Sequence, residues 1–118
     1  MIRNQSGVWG EVFAARFLRE NGYKIITRNY YCRFGELDVV ASKKGTLCII
    51  EVKARNKNTA IRPMDAVDYF KQERIRMATK SFLSFADIKA NVRFDVCEVY
   101  LDDNLALSGI NYIKNAFR

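Results

Sequence analysis

The chain has 118 residues, enough for one domain with little room for a second. Its 49% hydrophobic residues can bury a core, while 20 Lys and Arg against 13 Asp and Glu leave a formal charge of +7, a balance that suits polyanions such as nucleic acid or a membrane surface. With no His in the chain, His-based acid–base catalysis, Ser-His-Asp and Cys-His triads and most catalytic zinc sites are excluded.

The first predicted element is a helix from Ser6 to Asn21, with Ser6 as N-cap and Asn21-Gly22 as its stop. Its apolar stripe takes in Val8, Val12, Ala14, Ala15 and Leu18, widened by Trp9, Phe13 and Phe17. Nothing before it forms an apolar run, so no secretory signal is expected. Tyr23 to Thr27 reads as a short strand. Gly35–Ala41 and Thr46–Ala54 are the clearest strands, rich in Val and Ile and joined by Ser42-Lys43-Lys44-Gly45, a hairpin signal. Arg55 to Arg62 is polar and reads as a loop. Pro63 stands where a helix can begin, and Met64 to Phe85 has helical spacing through Val67, Ile75, Ala78 and Phe82. Asn91 to Tyr100 returns to strand character, and the tail from Asn111 to Arg118 reads equally as a last strand or a docked extension. A long helix between two strands predicts a crossover, hence an α/β fold with a mixed sheet and helices packed on it. Cys32, Cys48 and Cys97 are far apart and odd in number, so they read as reduced thiols of a cytoplasmic protein. No stretch approaches the roughly 18 apolar residues of a membrane span, and no basic amphipathic helix is clean enough to favour a membrane-surface role.

The chemistry concentrates in Gly35-Glu36-Leu37-Asp38 and in Glu51-Val52-Lys53-Ala54-Arg55. Alternation along a strand puts Glu36 with Asp38 on one face and Glu51 with Lys53 on another. If Lys44-Gly45 is a two-residue turn, Lys43 faces Thr46. Counting back then sets Asp38 opposite Glu51 and Glu36 opposite Lys53, with Cβ atoms roughly 5 Å apart. Opposed like charges need compensation from a proton, from Lys53 or from a divalent cation. Oxygen ligands without imidazole or thiolate suit Mg²⁺ or Mn²⁺. An ordinary exposed face with Lys53 paired to Glu51 or Glu36 satisfies the same spacing.

Glu11 is flanked at helical spacing by Val8, Ala14, Ala15 and Leu18, so its carboxylate points at the protein. Buried Glu is rare unless paired or bound to a metal. A structural ion pair with Arg3 or Arg28 is the other reading. Lys71 sits above Val67, Ile75 and Ala78, placed either to reach the carboxylates or a phosphate or to snorkel to solvent. Asp95 reads as an ion-pair partner of Arg93 or of a lysine. Arg55, Lys57 and Arg62 make the polar loop positive, as phosphate contact or plain solvation would require. Tyr30-Tyr31 reads as core or edge packing ahead of base stacking.

Taken in order, Gly10-Glu11, Arg28-Asn29-Tyr30, Gly35-Glu36-Leu37-Asp38, Glu51-Val52-Lys53-Ala54-Arg55, Lys71, Arg93-Phe94-Asp95-Val96 and Ile113-Lys114-Asn115-Ala116-Phe117 resemble the YraN family of small predicted endonucleases. The resemblance spans nearly the whole chain. The family lies within the PD-(D/E)xK superfamily and is similar to archaeal Holliday junction resolvases. Leu37 stands where the superfamily's title motif has Pro. The resemblance implies a single restriction-endonuclease-like domain over residues 1–118 and metal-dependent endonuclease chemistry on DNA, with branched or structured DNA as one substrate class. It implies Asp38 and Glu51 as ligands of Mg²⁺ or Mn²⁺, the Val52 carbonyl assisting, Lys53 as catalytic lysine and Glu11 as the carboxylate completing the site. Arg55 and Lys71 take supporting, nucleic-acid-binding positions, and a homodimer is expected. The competing expectation is a nucleic-acid-binding or scaffold module that keeps the fold without turnover.

Overall fold

A computed structural model describes residues 5–57 and 67–118. Helix α1 (Gln5–Glu20) buries Gly10, Glu11, Ala14, Ala15 and Leu18, a stripe recurring every three to four residues. Val8 and Trp9, expected in that stripe, stand 44% and 43% exposed. The small residues let the helix approach the sheet closely: a Cβ built on Gly10 would lie 2.7 Å from the Ala54 Cβ. The helix ends as Asn21-Gly22 predicts. Gly22 takes φ +83°, and the Tyr23 and Gly22 N–H groups donate back to the carbonyls of Leu18 and Arg19, which satisfies groups left over at the helix end.

Five strands follow: β1 (Lys24–Cys32), β2 (Gly35–Lys43), β3 (Thr46–Asn56), β4 (Asn91–Leu101) and β5 (Leu107–Phe117), with α2 (Tyr69–Ala86) between β3 and β4. They form one sheet in chain order. All neighbours are antiparallel except β3 and β4, which the α2 crossover makes parallel. This is the expected α/β architecture, a mixed sheet flanked by helices and consistent with a restriction-endonuclease-like fold. The tail is thus a strand, paired to β4 over Leu107–Phe117.

Several boundaries move: Ser6, expected as N-cap, lies inside α1, β2 runs on to Lys43, and the last strand starts at Leu107. β1 continues past Thr27 through the polar Arg28-Asn29 because pairing with β2 supplies the ladder that its composition does not advertise. β3 runs on through Arg55 to Asn56 because β4 pairs with it to that point. α2 begins at Tyr69, where the Asp68 carboxylate caps it by accepting the Lys71 N–H at 2.9 Å. Pro63, Met64 and Arg62 lie outside the described residues.

Two apolar layers sandwich the sheet. On one face, Ala14 and Leu18 of α1 meet Val39, Ala41, Cys48, Ile50, Cys97 and Val99. On the other, Ile75, Ala78 and Phe82 of α2 meet Leu37, Val40, Leu47, Ile49 and Val96. Each fully buried aliphatic side chain contributes about 1.5–3 kcal/mol. All three cysteines are free, and Cys48 and Cys97 pack as small apolar groups in strands. Among the described residues no helix is long and apolar enough to cross a membrane.

Candidate metal centre

The β2–β3 hairpin sets the site's register. Lys44 and Gly45 take φ +49° and +80°, the pair of positive values a two-residue type I′ turn requires. Lys43 accordingly pairs with Thr46, and the count continues without slippage to Val39 and Ile50. There the ladder ends, one step short of the Asp38–Glu51 pair and three short of Glu36–Lys53. The Asp38 carboxylate takes over instead, its Oδ2 accepting the Val52 N–H at 2.9 Å.

The pleat also turns over at this point. Val39 belongs to the α1-side layer, yet Leu37, two residues away, belongs to the α2-side layer. Strict alternation would put both on one face. Across on β1, the pairs Arg28–Val39 and Tyr30–Leu37 bracket Asn29. Asn29 holds φ +57°, a left-handed conformation that Asn tolerates better than most residues. The kink thus passes through both strands.

Its consequence is a carboxylate cluster different in membership from the expected one. One oxygen each from Glu11, Glu36 and Asp38 lies within 4.8 Å of the others. Glu11 is 6% exposed, and the other two are half-buried. Glu11 therefore reaches the sheet acids, as its stripe position predicted. Glu36, which sequence reasoning put on one face with Asp38 and opposite Lys53, was not among the expected site residues. The usable signal was its i, i+2 spacing from Asp38 on one strand.

Glu51 lies beside this trio in a different setting. It is 5% exposed, and its Oε1 sits 2.8 Å from the Lys71 Nζ and 3.7 Å from the Lys53 Nζ. Lys71 thus reaches the carboxylates from α2, one of the two roles open to it. The acids consequently sit where the hairpin splays, met by α1 from one face of the sheet and by α2 from the other. Val52 contributes its N–H to Asp38. Arg55 donates from Nη1 to the neighbouring Ala54 carbonyl at 3.1 Å and is not brought into the cluster.

The electrostatics follow from this crowding. Burial, then the Glu51 charge, push the Asp38 carboxyl up to about 8; the Val52 N–H opposes the shift, and Glu11 and Glu36 add to it. Burial lowers Lys53, with Glu51 opposing and Lys71 assisting. For Lys71, burial is outweighed by the charge and hydrogen bond of Glu51, and its ammonium is held above the ordinary lysine range. Three gathered carboxylates, one of them driven toward its neutral form, can be relieved by a proton or by a hard divalent cation. An all-oxygen donor set fits Mg²⁺ or Mn²⁺.

Asp95 and Tyr30 have structural duties. Asp95 is fully buried and accepts from Arg93, from the Tyr112 hydroxyl at 2.6 Å and from the Asn115 N–H at 2.9 Å. The expected Arg93 pair is therefore part of a larger network bracing β4 against β5. Tyr30 packs edge-on against Phe82 and hydrogen-bonds Ser81, while Tyr31 is 58% exposed.

A profile described as uncharacterised protein family UPF0102 matches residues 10–99. Among similar proteins, a UPF0102 protein of Chlorobium chlorochromatii is 40% identical over 115 residues, spanning 94% of this chain and 89% of that one. One from Caldanaerobacter subterraneus subsp. tengcongensis is 38% identical over 113 residues, spanning 94% and 93%. One from Moorella thermoacetica is 37% identical over 118 residues, spanning 99% and 98%.

Proposed function

This chain belongs to the UPF0102 (YraN) family, and on that premise we propose that it is a divalent-metal-dependent endonuclease hydrolysing DNA phosphodiester bonds. The single observation carrying this reading is the convergence of Glu11, Glu36 and Asp38 next to a carboxylate held by two lysines. A net charge of +7 suits a phosphate-rich substrate.

In this proposal Asp38 is the central ligand, and Glu11 and Glu36 supply the oxygens already gathered around it. A bound Mg²⁺ or Mn²⁺ supplies Lewis-acid stabilisation of charge on the phosphoryl oxygens. The attacking water enters in line with the departing oxygen. Lys53, whose burial lowers its hold on a proton, orients that water and steadies the charge developing on the phosphate. Glu51 fixes both ammonium groups while the site is free of substrate. A phosphate drawing Lys71 away would release Glu51 to act as a further ligand.

The test is incubation of the protein with supercoiled, single-stranded and branched DNA in Mn²⁺ or Mg²⁺. The reading requires cut ends that appear only with metal and vanish in Asp38→Ala and Glu51→Ala. Cutting by both variants at the wild-type rate would show the assigned site to be wrong. Metal-independent DNA binding without cut ends would favour a binding module on the same fold.

A further inference from the structure

We infer that Tyr69 and Phe70 form a base-stacking platform through which the site takes single-stranded DNA, or the unpaired strand of a splayed duplex, in preference to intact duplex. The inference rests on the nuclease reading and specifies its substrate.

Tyr69 is 65% exposed and Phe70 76%, the latter the most exposed of the large apolar side chains among the described residues. Their rings stand edge to face with centroids 6.1 Å apart. Isolated surface aromatics are ordinary, but two in sequence, both largely bare, are a costly surface to leave in water. The backbone that carries them is anchored. The Asp68 cap fixes the first turn of α2 at the Lys71 N–H, and Gln72 donates to the Val67 carbonyl at 3.0 Å. Val67 itself is buried in the α2-side layer. Flat rings with two side-chain torsions lose little freedom on stacking.

Position decides the occupant. Phe70 immediately precedes Lys71, whose ammonium sits 2.8 Å from Glu51 beside the candidate centre. Arg74, one turn further along the helix on Phe70's side, is exposed. Rings beside cationic groups match a nucleotide, whose base stacks while its phosphate is neutralised. Bases inside a duplex offer no free face, so the platform rewards an unpaired strand leading into the acids.

The experiment measures binding in EDTA, independently of cleavage, of a fluorescein-labelled oligo(dT) and of a blunt duplex of equal length. Wild type, Tyr69→Ala/Phe70→Ala and Tyr69→Trp/Phe70→Trp are compared, with circular dichroism confirming the fold of each. The alanine pair is expected to weaken single-strand binding about tenfold while changing duplex affinity by less than about twofold, and the tryptophan pair to restore it. A strand carrying 2-aminopurine should be quenched by wild type and not by the alanine pair. Equal single-strand affinity of wild type and alanine pair overturns the platform, as does absence of single-strand binding by wild type. A change of sedimentation coefficient in the alanine pair with unaltered DNA affinity overturns it too and assigns the rings to self-association. If the strand preference behaves as expected but no DNA is ever cut, the nuclease reading fails and the platform stands.

Discussion

The Asp38 carboxylate accepts the Val52 N–H at 2.9 Å, in the place where the β2–β3 ladder would otherwise continue. A side chain thus does the work of a backbone carbonyl where regular pairing stops. Beyond that point Asp38 and Glu36 meet Glu11 of α1, and Glu51 meets Lys71 of α2.

Asp38→Asn separates the structural duty from the proposed metal duty. The amide oxygen still accepts the Val52 N–H, while the charge facing Glu11, Glu36 and Glu51 is gone. Without metal, the variant should melt at or above the wild-type temperature at pH 8. Millimolar Mn²⁺ should raise the wild-type melting temperature and leave that of the variant unmoved, because only binding to the native state stabilises it. Thermal denaturation with and without Mn²⁺ checks both halves.

The pH dependence has a definite sign. Asp38 titrates near 8 in the folded chain against 3.8 as its ordinary value, so between those limits the folded state binds more protons than the unfolded state. Stability of the metal-free protein therefore falls as pH rises from about 4 to about 8 through this group. Metal binding needs the ionised acid, so apparent Mn²⁺ affinity should climb over the upper part of that window and each binding event should release protons. Denaturant melts at pH 5.5, 7 and 8.5, with calorimetry in two buffers of different ionisation heat, read both effects.

Gly10→Ala should destabilise the fold although alanine is the better helix former. The added methyl would lie 2.7 Å from the Ala54 Cβ, and overpacking of about 1–3 kcal/mol outweighs a helix-propensity gain of about 1 kcal/mol. Relief requires α1 to retreat from β3, carrying the adjacent Glu11 with it. Weaker Mn²⁺ binding in a protein that remains folded would register that shift.

Asp95→Ala should cost about 3–5 kcal/mol, the range for breaking a buried charge pair, since Arg93, Tyr112 and Asn115 all lose their acceptor. Its signature is an unfolding midpoint shifted far more than that of Glu36→Gln. Urea denaturation distinguishes the bracing acid from the cluster acids.

Local chemistry made much of this legible before any coordinates. Lys44-Gly45 specified a turn, the turn specified the register, and Val39 met Ile50 as counted. The apolar surroundings of Glu11 aimed it inward, while those of Lys71 left the carboxylates and solvent equally open; both arrive among the acids. The count failed from Asp38 onward because it assumes an unbroken pleat. Asn29 at positive φ and the Asp38 side chain together turn that pleat over, and neither departure has a local sequence pattern. Glu36, set opposite a lysine, was consequently left out of the expected ligand set. The strand character of the tail was hidden because its partners lie elsewhere in the chain: it pairs with β4, and its Asn115 N–H meets Asp95, 20 residues away.

The most direct test titrates Mn²⁺ by calorimetry into wild type, Glu11→Gln, Glu36→Gln and Asp38→Asn. Binding to wild type that is weakened at least tenfold by each neutralisation, the effect of losing about 1.4 kcal/mol, is the predicted result. No heat with wild type, or an affinity indifferent to Glu36→Gln and Asp38→Asn, would contradict the three-carboxylate centre.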